Sequence, residues 1–190
     1  MLQQFLLIDS LYFTCKLKKI IDPKTIVCST SKGLYLATKQ FLSDAITDAL
    51  GREQPLVFLS GPSFAKELMQ NQPSAVVCAS KYLYHAVSVQ RWLSTMYFRI
   101  YSSQDVLGVQ LGGSLKNPLA IGAGIIEGKG FGINTLSAFV TRSSLELQAL
   151  CIAMGGEAHT ISGLAGIGDL MLTAFGSLSR NRNCGIRLAR

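Results

Sequence analysis

The chain has 190 residues, 48% of them hydrophobic and only 15% charged, enough for a real core in one domain or two small ones and too apolar for wholesale disorder. No apolar run reaches the ~18 residues of a membrane span, and the start, Met1 to Asp9, lacks the basic n-region of a secretory signal. The net charge of +7 admits nucleic acid, an anionic surface or small phosphorylated ligands, but the basic groups (Lys16, Lys18, Lys19, Lys24; Arg180, Arg182, Arg187, Arg190) form no block of five and have no interleaved aromatics, so nucleic acid is not expected.

Thr25-Ile26-Val27-Cys28-Ser29-Thr30 is β-branched and apolar, the pattern of a buried strand. After Ser31-Lys32-Gly33, the spacing of Leu34, Phe41, Leu42, Ala45, Ile46 and Ala49 predicts a helix that Gly51 stops. Leu56-Val57-Phe58-Leu59 is the next strand, ended by Ser60-Gly61-Pro62-Ser63, with a short helix from Phe64 to Met69 behind it. Ala75 to Ala79 is another strand; Tyr82, Ala86, Val89 and Leu93 mark one helix face; Tyr97 to Tyr101 is a last strand. Strands alternating with helices predict an α/β fold with a Rossmann-like, mostly parallel sheet.

Past Ser102-Ser103-Gln104-Asp105 the pattern turns helical. Leu115 to Ile126 reads as a helix buried nearly all round, with Pro118 in its first turn, where proline is tolerated. Gly128 to Gly132 is a connection; Leu136 to Met154 is a helix ended by Gly155-Gly156; Ile167 to Phe175 is a further one. These features divide the chain at about residue 103, into an α/β domain over 1–103 and a helical domain over 104–190.

Five cysteines, at 15, 28, 78, 151 and 184, form no CxxC and are odd in number, so they read as reduced, mostly buried side chains in a reducing compartment. With only His85 and His159 beside them, no metal site is expected.

Several residues suit chemistry. Lys32 directly follows a strand, where ligands of parallel sheets gather, and could meet an anion or a carbonyl oxygen or simply precede a turn. Gly61-Pro62-Ser63 also follows a strand and opens a helix, either as an anion cradle or as a plain cap. Lys116 lies among Leu111, Gly112, Gly113, Leu115, Leu119 and Ala120. A lysine there must snorkel, pair or lose its proton, and burial is what makes lysine an acid–base group near neutral pH. Asp169 is a partner for it, either for catalysis or as a structural pair, and a helix would put Thr173 on the face of Asp169. Asn117 adds a donor and an acceptor. Arg180-Asn181 offers a planar guanidinium beside an amide, with Ser179 adjacent, which fits phosphate or an exposed helix start. Gly122-Ala123-Gly124 through Gly128 looks like a dinucleotide fingerprint but follows no strand, so it is read as helix packing. Gly163 to Gly168 is read as a tight approach to Asp169.

Taken together, Ser31-Lys32-Gly33, Gly61-Pro62-Ser63-Phe64-Ala65, Leu115-Lys116-Asn117, Gly130-Phe131-Gly132 with Asn134-Thr135, Gly168-Asp169-Leu170 and Ser179-Arg180-Asn181-Arg182 resemble the NAD(P)-dependent glycerol-3-phosphate dehydrogenases in order and spacing. The resemblance implies an oxidoreductase that interconverts sn-glycerol 3-phosphate and dihydroxyacetone phosphate with NAD or NADP, in a cleft between a dinucleotide-binding and a helical domain. It implies Lys116 as proton donor or acceptor at the C2 oxygen, held by Asp169. Lys32, Gly61, Ser63, Asn117, Asp169, Thr173, Ser179, Arg180 and Asn181 would contact substrate, and Lys32, Ala65 and Arg180 the cofactor. It further implies a homodimer, a role in glycerophospholipid synthesis and a cytoplasmic location, or a plastid or other organelle if a transit peptide precedes this sequence. The family's glycine-rich fingerprint would lie before the first residues here, so a truncated form is expected. Its alternative is a non-catalytic chain that keeps the cleft without turnover.

Overall fold

A computed structural model describes the backbone of residues 5–8, residues 18 and 20–51, and residues 53–190. Apart from that strand backbone, the stretch from Met1 to Asp9, where no signal is expected, lies outside the described residues, as do Cys15, Lys16 and Lys19.

Five strands, β1 (Phe5–Ile8), β2 (Ile26–Ser29), β5 (Leu56–Ser60), β6 (Ser74–Ala79) and β7 (Phe98–Ser103), form one sheet in the order β1-β2-β5-β6-β7. Pairs β1–β2, β2–β5 and β6–β7 are parallel, whereas β5–β6 is antiparallel, with Phe58 opposite Ala79 and Ser60 opposite Val77. The sheet is thus mostly parallel, as the alternation of elements implies, and its one reversal has a local cause. The helix between β5 and β6, α2 (Ala65–Met69), has five residues, about 7.5 Å of rise. That is too short to carry the chain back to the far end of the sheet, so β6 re-enters from the end at which β5 leaves.

The residues expected as one helix from Leu34 divide in two. β3 (Leu34–Tyr35) and β4 (Gln40–Phe41) make a small hairpin, and only α1 (Leu42–Leu50) is helical. Lys39 takes a left-handed conformation, φ 59°, and its amide donates to the Tyr35 carbonyl at 2.7 Å, which closes the turn. Gly51 ends α1 as expected, at φ 62°.

Alternate residues of the strands serve the two faces of the sheet. Ile26, Cys28, Val57, Val76, Cys78 and Ile100 pack with Ala86 and Val89 of α3 (Leu83–Leu93). Val27 and Phe58 pack on the other face with Ile46 and Leu50 of α1. Each wholly buried Ile, Leu or Val of this kind contributes about 1.5–3 kcal/mol before entropy is counted. Tyr82 does not join that core; it precedes α3 and is 46% exposed.

After β7 the described elements are all helical: α4 (Val106–Gly128), α5 (Ile133–Ala153), α6 (Ala158–Ser162), a π-helical turn at Leu164–Gly168, α7 (Asp169–Phe175) and α8 (Arg180–Leu188). Asp105 joins the start of this half to its middle, accepting from the Gly108 amide at 2.8 Å as N-cap of α4 and from the Glu157 amide at 2.9 Å. Because α4 begins at Val106, Pro118 stands in its interior rather than its first turn, on an exposed face, and denies the Ser114 carbonyl its usual helical donor.

The glycines of α4 set its packing, as expected of a glycine run that lies inside a helix and follows no strand. A Cβ on Gly124 would strike the Arg182 carbonyl, and one on Gly185 would strike the Ile121 carbonyl, so α4 and α8 touch backbone to backbone. No helix among the described residues is long and apolar enough to cross a membrane. Cys28, Cys78 and Cys151 are buried and free, Cys184 is free and partly buried, and burial pushes the Cys28 and Cys78 thiols up to about 12.

Candidate active site

The carboxyl ends of β2 and β5 and the middle of α4 converge on the start of α7. Lys32 leaves β2, Gly61 leaves β5, Lys116 projects from α4, and Asp169 with Thr173 comes from α7. The π-helical turn before α7 brings this about. Its Ala165 carbonyl lies against Gly112, where any Cβ would collide, so α4 and the turn approach closely and Asp169 is driven inward. The small residues from Gly163 to Gly168 thus make the close approach expected of them.

Asp169 is 0% exposed and holds two lysines, one on each oxygen. Its Oδ1 accepts from Lys116 Nζ at 2.5 Å and its Oδ2 from Lys32 Nζ at 2.7 Å. Lys32 Nζ also donates to the Gly61 carbonyl at 2.7 Å, and Lys116 Nζ to Thr173 Oγ1 at 3.2 Å. Thr173 in turn donates to the Asp169 carbonyl at 2.5 Å. Two ammonium groups and one carboxylate leave the cluster with a net charge of +1, which favours an anionic or strongly polarised ligand.

Lys116 is 8% exposed, and burial holds its ammonium below the usual lysine range. The positive charge of Lys32 adds to that depression, while Asp169 opposes it. The result is a lysine for which the neutral amine is within closer reach than in water.

Of the other expected site residues, Asn117 and Asn181 meet, Asn181 Nδ2 donating to Asn117 Oδ1 at 2.9 Å. This bond fixes the start of α8 beside the turn of α4 that carries Lys116. Ser179 is buried and spends its hydroxyl as the cap of α8, accepting from the Arg182 amide at 3.2 Å. Ser63 folds back, its hydroxyl donating to the Gly61 carbonyl at 3.0 Å. Gly61 adopts φ 142° with its α-carbon pressed towards Val76, where a Cβ would stand 2.9 Å from the backbone. Ala65, in the first turn of α2, is exposed. Arg180 is exposed at the start of α8 and makes no ion pair among the described residues.

Three features were not found by sequence reasoning. The pairing of Lys32 with Asp169 spans 137 positions, and nothing local in either segment names the other. Arg182 pairs with Glu127 and so ties α8 to α4. Gln110 accepts from the Ser43 amide at 3.0 Å and donates to its hydroxyl at 3.1 Å, bracing α1 against α4.

In sequence and in fold the chain is similar to proteins of one family. The family model described as the N-terminus of NAD-dependent glycerol-3-phosphate dehydrogenase matches residues 12–86, and that of its C-terminus matches residues 105–190. A chloroplastic NAD(+) glycerol-3-phosphate dehydrogenase of Oryza sativa subsp. japonica is 50% identical over 169 residues, 88% of this chain and 38% of that protein. An NAD(P)+ glycerol-3-phosphate dehydrogenase of Solidesulfovibrio magneticus is 47% identical over 173 residues, 90% of this chain and 52% of that protein. The crystal structure of glycerol-3-phosphate dehydrogenase from Coxiella burnetii superposes with a TM-score of 0.90 at 36% identity, covering 97% of this chain and 57% of that one. The chain therefore spans only part of the length of the relatives it matches.

Proposed function

This chain belongs to the NAD-dependent glycerol-3-phosphate dehydrogenase family, and we propose that its cleft interconverts sn-glycerol 3-phosphate and dihydroxyacetone phosphate by exchange of a hydride at C2. A nicotinamide dinucleotide, NAD or NADP, supplies or accepts that hydride when bound. The residues present fit such a group. Gly33, at φ 147° with open space where a side chain would stand, leaves bare backbone beside Lys32, and the exposed Ala65 leaves a second uncluttered surface for a flat ring. Arg180 is an exposed cation with no ion-pair partner among the described residues, available to phosphate oxygens of cofactor or substrate.

In the reducing direction the Lys116 ammonium donates a proton to the C2 oxygen as C2 is reduced, leaving a neutral amine and an alcohol. In the oxidising direction the neutral amine takes that proton from the hydroxyl. Asp169 holds Lys116 and Lys32 at fixed separation in both directions, and Lys32 supplies a second positive charge beside the polarised oxygen. Asn117, Asn181 and Arg180 grip the phosphate end, with Ser179 fixing the start of α8; Gly61, Ser63 and Thr173 shape the wall on which the substrate rests.

The observation that carries this reading is the wholly buried Asp169 between two lysines, one of them depressed by burial. The test is oxidation of NADH, and of NADPH, with dihydroxyacetone phosphate by this chain and by Lys116→Ala. Turnover that disappears in the variant supports the assignment; turnover that persists contradicts it, and substrate binding with no turnover favours a non-catalytic cleft.

We also propose two domains divided near residue 103, a reading supported by the family matches that fall on either side of it. A homodimer is supported by the exposed apolar side chains of Leu145, Leu150 and Ile152 along α5. The free buried thiols support a reducing compartment, either cytoplasm or, as the name of the rice relative states for that protein, a chloroplast. There the glycerol 3-phosphate formed would serve glycerophospholipid synthesis.

A further inference from the structure

A sizeable cavity among the described residues lies away from the lysine cluster. It has a volume of about 500 Å³ and is lined by His85, Tyr82, Tyr84, Lys81, Glu53 and Asp44, among others. Leu56, at the start of β5, borders it, whereas Ser60 and Gly61, at the far end of that strand, border the lysine cluster. Four steps of strand separate the two by about 13 Å. Val106 also borders the cavity, and Lys116 lies ten residues further along α4, about 15 Å of helix. None of Lys32, Gly61, Lys116, Asp169 and Thr173 lines the cavity, although Phe58 borders both it and the small pocket beside Lys32.

His85 is the unusual member. It is 8% exposed, and its Nδ1 is buried with no hydrogen-bond partner among the described residues. A buried polar atom left unpaired costs about 1–3 kcal/mol, so the site is unsatisfied as it stands. Burial lowers the basicity of the ring, and a neutral imidazole that carries its proton on Nε2 would present Nδ1 as an acceptor. Around it the walls are aromatic. The Tyr84 ring lies 4.0 Å from the His85 ring, and Tyr82 stacks on Tyr84 at 5.8 Å. Tyr84 is 60% exposed, so turning its ring aside would leave the core undisturbed. Charge narrows the choice further. Asp44 and Glu53 against Lys81 leave the lining acidic by one, which disfavours phosphates and carboxylates, and Lys81 is already paired with Glu53 at 3.2 Å.

We propose that this cavity is a second binding site, for a neutral planar nitrogen heterocycle that stacks on Tyr84 and donates an N–H to His85 Nδ1. Aromatic side chains beside a buried acceptor left unpaired suit such a ring, and the Asp44 and Glu53 carboxylates in the same lining favour a donor over an anion.

Benzimidazole, which has the N–H, and 1-methylbenzimidazole, which lacks it, form the test. Nitrogen-15 NMR of the full chain follows His85, with His159, the other histidine and an exposed one, as internal control. Benzimidazole at a concentration on the order of 1 mM should shift the His85 Nδ1 resonance and leave His159 in place. The methylated ring should bind about tenfold more weakly. His85→Phe, which keeps an aromatic ring, should remove that difference, and Lys116→Met should leave benzimidazole binding unchanged. Absence of a His85 shift, equal binding of the two rings to the unmodified chain, or loss of binding in Lys116→Met would overturn the proposal.

Discussion

Lys116 and Asp169, 53 positions apart in the chain, meet at 2.5 Å where the aspartate is wholly buried. Lys32 occupies the other carboxylate oxygen at 2.7 Å. The carboxylate is thus the common partner of two cations, and the consequences of removing each member differ.

Removal of the carboxylate should be far worse than removal of one lysine. Asp169→Asn leaves two ammonium groups facing each other around a neutral amide, and a broken buried pair costs about 3–5 kcal/mol. Lys116→Met leaves Asp169 paired with Lys32 and replaces a desolvated cation with an apolar chain of similar size, a change within about 1 kcal/mol either way. Urea unfolding of the two variants checks the order.

The depression of Lys116 gives stability a defined pH dependence. Its folded value lies below the ordinary 10.5, so between the two the unfolded chain binds more protons than the folded one. The cost of burying the charged amine is complete below the folded value and is relieved as pH rises towards 10.5. The urea midpoint of the unmodified chain should therefore gain on that of Lys116→Met as pH rises from neutral towards 10.5. A midpoint difference that is flat or falls with pH contradicts the lowered value.

Close backbone approach between α4 and α8 makes Gly185 intolerant of a side chain. A Cβ there meets the Ile121 carbonyl and the Ile125 amide, which are fixed by the helix. Gly185→Val should cost about 3 kcal/mol and should part Asn181 from Asn117. Loss of their amide contact is observable as a change in the side-chain NH2 resonances of Asn181.

Arg180 should separate binding from stability. It is exposed and pairs with nothing among the described residues, so Arg180→Ala should alter stability by no more than about 0.5 kcal/mol. Loss of its guanidinium from a phosphate should weaken glycerol 3-phosphate binding about tenfold or more. Calorimetry with that ligand, beside a melting curve, measures both. Arg180→Lys should recover only part of the loss, since an ammonium keeps the charge without the fork.

Much of the site is legible in the sequence because its chemistry is improbable in its surroundings. A lysine among Leu111, Gly112, Gly113 and Leu115 stands out, as does Asp169 after a run of glycines. The partner of Lys32 is not legible, because a strand end brings a residue to the sheet edge without naming what waits there. The hairpin at Leu34–Phe41 was obscured by apolar residues that happen to fit helical spacing; the left-handed Lys39 that decides the matter carries no compositional signal. The reversal of β6 depends on the brevity of α2, and the interior position of Pro118 on the early start of α4 at its Asp105 cap. Both are consequences of element length, which periodicity defines poorly at its ends.

The central claim is that Lys116 addresses the C2 oxygen of the substrate. Dihydroxyacetone phosphate labelled with carbon-13 at C2 tests it directly, since a hydrogen bond from an ammonium polarises the carbonyl and moves its resonance downfield. The account predicts a downfield shift on binding to the unmodified chain and its loss in Lys116→Met at saturating ligand. A bound carbonyl resonance that is unshifted, or that is shifted equally in the variant, would contradict it.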